Sequence, residues 1–244
     1  MNKCSNQIWK EIFVINELSF ETLNEIIPIT IIKNVLKYPD QVREFLDNGY
    51  WWENGYDESC SRPGKSFEFG LNTDIYFDPL VNSLTEFYDA EEIIPIQLYG
   101  NCFNGNMNLY NVRSALPHID TFPDDDTNEN PLNDIAFNLN LTKSDKVKTA
   151  FYSFNNKRSI CDFNKKDYDD LKTCWDRQKK IIKQKNWFLM NDNYENYKLE
   201  YIADIEYNSM ILYPSHNWHN SYIKEDWFTD TDRITFTGFF ELIK

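Results

Sequence analysis

Leu116-Pro117-His118-Ile119-Asp120 places a histidine two residues before a carboxylate. In an extended chain, residues i and i+2 face the same side, so His118 and Asp120 can grip one object together. The chain has 3 histidines. The other two stand far downstream, in Tyr213-Pro214-Ser215-His216-Asn217-Trp218-His219. A third ligand from that segment completes two histidines and one carboxylate, the set that holds non-haem Fe(II) and leaves positions open for substrate and oxygen. An H-x-D triplet alone is weak evidence, because a lone histidine is more often a hydrogen-bonded structural residue. Here a strand-like run at 107–112 precedes it and a polar loop follows. The pair is therefore expected at a strand end, where a pocket mouth lies.

Working outward, the chain beyond Pro95 reads as short alternating or aromatic-rich runs at 96–99, 107–112, 135–141, 149–154, 199–205, 209–213 and 233–242. Short strands separated by polar loops point to an antiparallel sandwich or barrel. The first third is mixed. Runs at 8–15 and 30–35 read as strands. Tyr38-Pro39-Asp40 opens a helix carrying Val42, Phe45 and Leu46 at helical spacing, and Asn48-Gly49 stops it. Residues 80–90 form a second helix with Leu80, Leu84, Phe87 and Tyr88 on one stripe. Two insertions interrupt the strands. Residues 121–134, with Asp124-Asp125-Asp126, read as a solvated loop rather than a second metal site. Residues 165–185 read as a charged helix whose apolar side is Tyr168, Leu171, Cys174, Trp175, Ile181 and Ile182. No internal repeat or flexible linker divides the chain, and a β-rich chain of 244 residues fits one domain. The expected division is supporting helices and strands over 1–94 and a β core over 95–244.

Composition narrows the function classes. Aromatic residues make up 16% and hydrophobic residues 41%, ample for a packed core. The net charge of -14 repels phosphate backbones, so no nucleic-acid partner is expected. The 5 cysteines form no C-x-x-C pair and read as reduced thiols. No run approaches the roughly 18 apolar residues of a membrane span, and residues 1–11 lack a signal-peptide core. A cytoplasmic protein of a bacterial or virus-infected cell is the expectation, with abundant Asn, Lys, Ile and Tyr hinting at an AT-rich genome.

His216 and His219 are three apart, so on a strand they face opposite sides, and at most one joins His118 and Asp120. Spacing alone does not choose between them. Pro214 is expected to end the strand at 209–213 or to put it on an edge. Further on, Arg233-Ile234-Thr235-Phe236-Thr237 alternates. Arg233, Thr235 and Thr237 share one face, with Ile234 and Phe236 on the other. An arginine fork beside a hydroxyl is a carboxylate clamp. The competing reading is an exposed pair at a sheet edge.

In order, H-x-D, a distal His and R-x-[ST] on the last strand resemble the signature of the iron- and 2-oxoglutarate-dependent oxygenases. The likeness is closest to a little-characterised bacterial branch with a prolyl-hydroxylase-like sheet. Pro117 to Asp120 looks like its P-H-x-D segment. Lys148-Thr149-Ala150-Phe151-Tyr152 looks like its G-G-T-A-F-Y strand. Tyr207 to Ser215 followed by His219 looks like its F-N-x-x-[LV]-x-Y-x-S-x-x-x-H segment, and Arg233-Ile234-Thr235-Phe236 looks like its R-[LI]-T strand. Upstream, residues 32–45 and Arg62-Pro63-Gly64 are similar to its N-terminal layer. One departure is Val147-Lys148, where the branch has paired glycines shaping a turn near the pocket.

This resemblance implies a mainly β fold with flanking helices, a double-stranded β-helix (jelly-roll, cupin-like) core and an N-terminal α/β layer. It implies Fe(II) held by His118, Asp120 and His219, with His216 a bystander. It implies 2-oxoglutarate held by Arg233 and Thr235, with Tyr110 and Asn138 as further contacts, and O2 as the oxidant. The implied activity is a dioxygenase that hydroxylates a C–H bond of a protein residue or small metabolite, releasing succinate and CO2. Two rivals belong to other classes: an inactive β-helix binding protein, and a zinc-dependent hydrolase on the same ligands. Arg233 speaks against both, since neither needs a carboxylate clamp.

Overall fold

The computed structural model describes residues 19–24, 28–48, 52–53, 65–68, 73–105, 116–120, 134–182, 196–224 and 226–244. The strand-like runs at 8–15 and 107–112, the Arg62-Pro63-Gly64 turn, the loop at 121–133 and Tyr110 lie outside them. The strands are β1 (Ser19–Asn24), β2 (Ile29–Lys33), β3 (Trp52–Glu53), β4 (Lys65–Glu68), β5 (Glu92–Phe103), β6 (Asp134–Asn140), β7 (Lys148–Phe154), β8 (Tyr197–Asp204), β9 (Ser209–Pro214), β10 (His219–Ser221) and β11 (Arg233–Ile243). The helices are α1 (Pro39–Asp47), α2 (Thr73–Tyr88) and α3 (Lys165–Ile182).

Period-two alternation sets the layers. On β6, Ile135, Phe137 and Leu139 face Val42, Leu46, Leu80 and Leu84 of α1 and α2. Ala136 turns the other way, into a cluster with Phe151, Ala203 and Tyr213. On β7, Phe151 joins that inner cluster, while Ala150, Tyr152 and Phe154 face outward to Leu171 and Cys174 of α3. The order is thus helices, large sheet, inner cluster, small sheet, helix.

The pairing defines the fold. The large antiparallel sheet runs β1-β2-β9-β6-β11-β5-β4-β3, and the small one β10-β7-β8. His118 adds an antiparallel bridge to His219, which extends the small sheet beyond β10. Followed from β5, the chain visits the large sheet, the small sheet at His118, the large at β6, the small at β7 and β8, the large at β9, the small at β10 and the large at β11. This winding is the double-stranded β-helix, a jelly roll. Among the described residues, the strands before β5 join the large sheet, with α1 and α2 packed on its outer face. β1 and β2 extend one edge of the large sheet and β3 and β4 the other.

Local chemistry explains the boundaries. α1 starts at Pro39, whose fixed φ suits the first helical position, and buries Val42 and Leu46 one turn apart. α2 begins earlier than the sequence periodicity from Leu80 suggests, because Pro79 lies inside it. A proline reads as a helix boundary, yet here only one intrahelical bond is forgone. Pro95 in β5 is accommodated by a bulge: Phe239 faces Gln97 and Phe240 faces Pro95, leaving Ile96 as the extra residue. β9 ends at Pro214 and lies between β2 and β6, so it is not an edge strand. On α3, Leu171 and Cys174 are buried as expected, while Tyr168 is 42% exposed with its ring edge-on to Phe163. No helix among the described residues is long and apolar enough to cross a membrane.

α3 is held by a reciprocal cap. The Asp167 N–H donates to Asn164 Oδ1 at 3.1 Å, and the Asn164 N–H donates to Asp167 Oδ2 at 2.9 Å. Lys157 Nζ reaches the same carboxylate at 2.6 Å. The Lys157 hydrogen bond, then the Asn164 N–H, holds the Asp167 carboxyl below its ordinary value. A lowered folded value means stability present above the unfolded value and lost as pH falls through the folded one. Asp167→Ala is expected to destabilise the fold by about 1–2 kcal/mol at pH 7, read by urea melts. The gap between wild type and variant should shrink as pH falls below about 4.

Candidate functional site

β10 and the His118 segment are bound by mutual backbone hydrogen bonds, His118 N–H to His219 O and His219 N–H to His118 O, each 2.9 Å. Directly opposed residues project to the same face, and the two imidazole centroids lie 4.5 Å apart. The Asp120 N–H donates to Ser215 O at 2.9 Å, which ties the H-x-D segment to the end of β9. The Asp120 carboxylate then sits 3.8 Å from His118 Nε2 and 3.3 Å from His219 Nε2. One ligand atom from each of the three lies within 4.8 Å of the others.

Each imidazole is oriented through its other nitrogen. His118 Nδ1 is 3.1 Å from Leu116 O, and His219 Nδ1 is 2.9 Å from Asn217 O. A carbonyl only accepts, so Nδ1 carries the proton and Nε2 is left as the ligand atom. Burial opposes charge on His219, but the Asp120 carboxylate outweighs it, and the imidazole sits above its ordinary value. This cluster of acceptors and one negative charge fits a divalent metal. His216 is not in the group. Its carbonyl accepts from the Ile160 N–H at 3.4 Å, on the α3 side of the small sheet.

The three residues line a cleft of about 590 Å³, mouth included, between the two sheets. Arg233 and Thr235 line it too and are 2% and 0% exposed, so they are not a surface pair. Arg233 Nη2 lies 3.5 Å from Ser221 Oγ. Asn138 also faces the cleft, from β6 directly opposite Thr237. Thr149 Oγ1, Thr235 Oγ1 and Asn138 Oδ1 are buried without a hydrogen-bond partner among the described residues. Buried polar atoms without partners mark where a polar ligand belongs. Two hydroxyls beside a guanidinium fit an anionic carboxylate, which is the chemistry of the end of 2-oxoglutarate far from its keto acid.

Sequence reasoning missed Thr149 and Tyr213 as cleft residues. Thr149 carried a signal, being a polar residue on the same strand face as Phe151. Tyr213 carried none, since a strand tyrosine ordinarily belongs to the core. Its ring centroid is 4.7 Å from that of His219. Burial first, then the Asp120 charge, pushes its phenol well above the ordinary value, so it stays neutral. Val147, at the departure from paired glycines, is buried between the sheets and is not a cleft residue.

No family model and no curated protein matches the sequence. Among solved structures, the chain is similar to HygX from Streptomyces hygroscopicus with nickel and 2-oxoglutarate bound, at 11% identity over 88% of this chain and 83% of that one, TM-score 0.49. A Pseudomonas putida prolyl-4-hydroxylase matches at 11% identity over 88% and 92% of the two chains, TM-score 0.44. An N-substituted L-amino acid dioxygenase from Burkholderia ambifaria matches at 13% identity over 88% and 86%, TM-score 0.41. At these values the likeness carries no weight by itself. Strand order and side-chain geometry define the chain as a double-stranded β-helix protein with a two-histidine, one-carboxylate group facing its cleft.

Proposed function

We propose that this chain is an Fe(II)- and 2-oxoglutarate-dependent dioxygenase that hydroxylates a C–H bond of a small molecule or a peptide residue. The observation that carries the reading is the pairing, across one cleft, of the His118–Asp120–His219 group with buried Arg233. When bound, iron and 2-oxoglutarate supply the oxidising chemistry with O2: one oxygen atom goes to the substrate C–H, the other to succinate, and CO2 leaves.

The residues of the chain divide the remaining work. His118, Asp120 and His219 would hold the metal, each offering one ligand atom. Arg233 offers its fork, and Thr235 and Thr149 their hydroxyl protons, to the far carboxylate of the co-substrate. Burial of Arg233 and Thr235 keeps water from that carboxylate and strengthens each bond. A zinc hydrolase leaves the clamp without a purpose, and so does an inactive scaffold.

The test is a succinate-release assay with iron-loaded protein over amino acids, peptides and lysate fractions. Release that requires both iron and 2-oxoglutarate supports the reading, and its absence with every addition sinks it. His216→Ala is expected to bind iron as the wild type does, by metal analysis after anaerobic loading. Loss of iron there would transfer the ligand role to His216.

A further inference from the structure

Inward side chains of the two sheets meet at the metal group. On the small sheet, His219 is paired with Phe151. On the large sheet, Tyr213 is paired with Ala136, and Ala136 with Phe239. The Tyr213 ring spans the gap between these rows. Its centroid is 5.1 Å from that of Phe151 and 4.7 Å from that of His219. Just beyond it, the Asp120 N–H donates to Ser215 O, so the end of β9 anchors Asp120 as well. Tyr213 therefore crosses the cleft at the metal end. Arg233 and Thr235 stand toward the start of β11, away from this row.

The Tyr213 hydroxyl is not committed to the fold. Asp120 and Arg233 both act on it through charge, and neither through a hydrogen bond. Both charges reach it, which places the phenol oxygen in the part of the cleft between metal group and clamp. The side chain is 6% exposed and keeps its proton, because burial and the Asp120 charge both oppose ionisation. A buried hydroxyl with a proton to give marks a place for a polar ligand. The rest of the row has no donor to offer a ligand. Ala136, Phe239 and Phe151 are apolar, and His118, Asp120 and His219 form the metal group. In the proposed reaction the clamp serves the far carboxylate of 2-oxoglutarate. The keto acid end carries a carboxylate of its own, and apart from the metal this row satisfies it only through Tyr213.

We infer that Tyr213 is a catalytic residue of the oxygenase: its hydroxyl donates a hydrogen bond to the keto acid end of 2-oxoglutarate at the metal. Contacts with Phe151 and His219 hold the phenol in place, so the bond fixes which way that end turns. Different residues then recognise the two ends of the co-substrate, Tyr213 the keto acid and Arg233 the far carboxylate. The assignment deepens the oxygenase reading and rests on it.

The test is calorimetry on the full chain, with Mn(II) in place of iron, using 2-oxoglutarate and pyruvate. Pyruvate carries the keto acid end without the far carboxylate. Tyr213→Phe keeps the ring and removes only the hydroxyl. It is expected to weaken both ligands by about tenfold, the loss of one hydrogen bond to a charged group. Arg233→Met should weaken 2-oxoglutarate and leave pyruvate as in the wild type. Mn(II) affinity and melting temperature should stay at wild-type values in Tyr213→Phe. Unchanged binding of both ligands in that variant overturns the assignment and leaves the oxygenase reading standing. So does a loss confined to 2-oxoglutarate, which would move the hydroxyl to the clamp. A loss of Mn(II) affinity overturns it too, by making Tyr213 a support of Asp120. A loaded wild type that binds 2-oxoglutarate but not pyruvate counts against the separate recognition of the keto acid end. One that binds neither takes the oxygenase reading down with it.

Discussion

Asp120→Ala is expected to lower iron affinity by at least about 100-fold and to abolish turnover. The floor follows from groups that merely orient metal ligands, whose loss already weakens binding about 10- to 100-fold. Asp120 is more than that. Both imidazoles donate Nδ1–H to a carbonyl, of Leu116 and Asn217, and turn Nε2 to the cleft, so the carboxylate is the one acidic group of the set. It also stands between the two, 3.8 Å from one Nε2 and 3.3 Å from the other. Metal analysis after anaerobic loading checks the outcome. The fold should survive, because the Asp120 N–H that binds Ser215 is kept in the variant. Full iron occupancy in Asp120→Ala would remove the basis for the proposed chemistry.

How legible this site was depends on where each residue's signal lay. His118 and Asp120 were readable because the i, i+2 rule holds in any extended segment, even one that joins its sheet by a single bridge. The choice of His219 over His216 was not readable from spacing. It depends on β10, three residues long, and on a turn at 215–216 that no periodicity announces. The strands of the β core were visible because one face of each is apolar, and the errors fell where a local rule was overridden. Pro79 within α2 and Pro95 at a bulge in β5 both looked like boundaries. β3, at the edge, and its neighbour β4 are too short for alternation to show. Yet β4 supplies Ser66, whose bond fixes Asn101 and through it Thr237. This polar wall of the cleft was therefore the least legible part, with Ser66, Asn101, Thr237 and Asn138 coming from four strands with no shared motif.

Arg233→Met is expected to separate co-substrate binding from stability. Affinity for 2-oxoglutarate, measured by calorimetry with Mn(II) in place of iron, should fall by about 2–5 kcal/mol, or roughly 30- to 4,000-fold. That is the range for removing one partner of a buried, hydrogen-bonded charge pair. Iron binding should be unchanged, since the ligands come from the small sheet and the H-x-D segment. The guanidinium is 2% exposed, with Ser221 Oγ at 3.5 Å. A methionine of similar length keeps the packing of the buried stem, so the melting temperature of Arg233→Met should change far less than 2-oxoglutarate binding. Arg233→Lys should fall between the two in affinity, because an ammonium keeps the charge and loses the two-pronged fit. A residue kept for structure would behave the opposite way: the methionine variant would melt earlier and bind 2-oxoglutarate as before. Such a result would make Arg233 a packing residue and take the co-substrate out of the cleft.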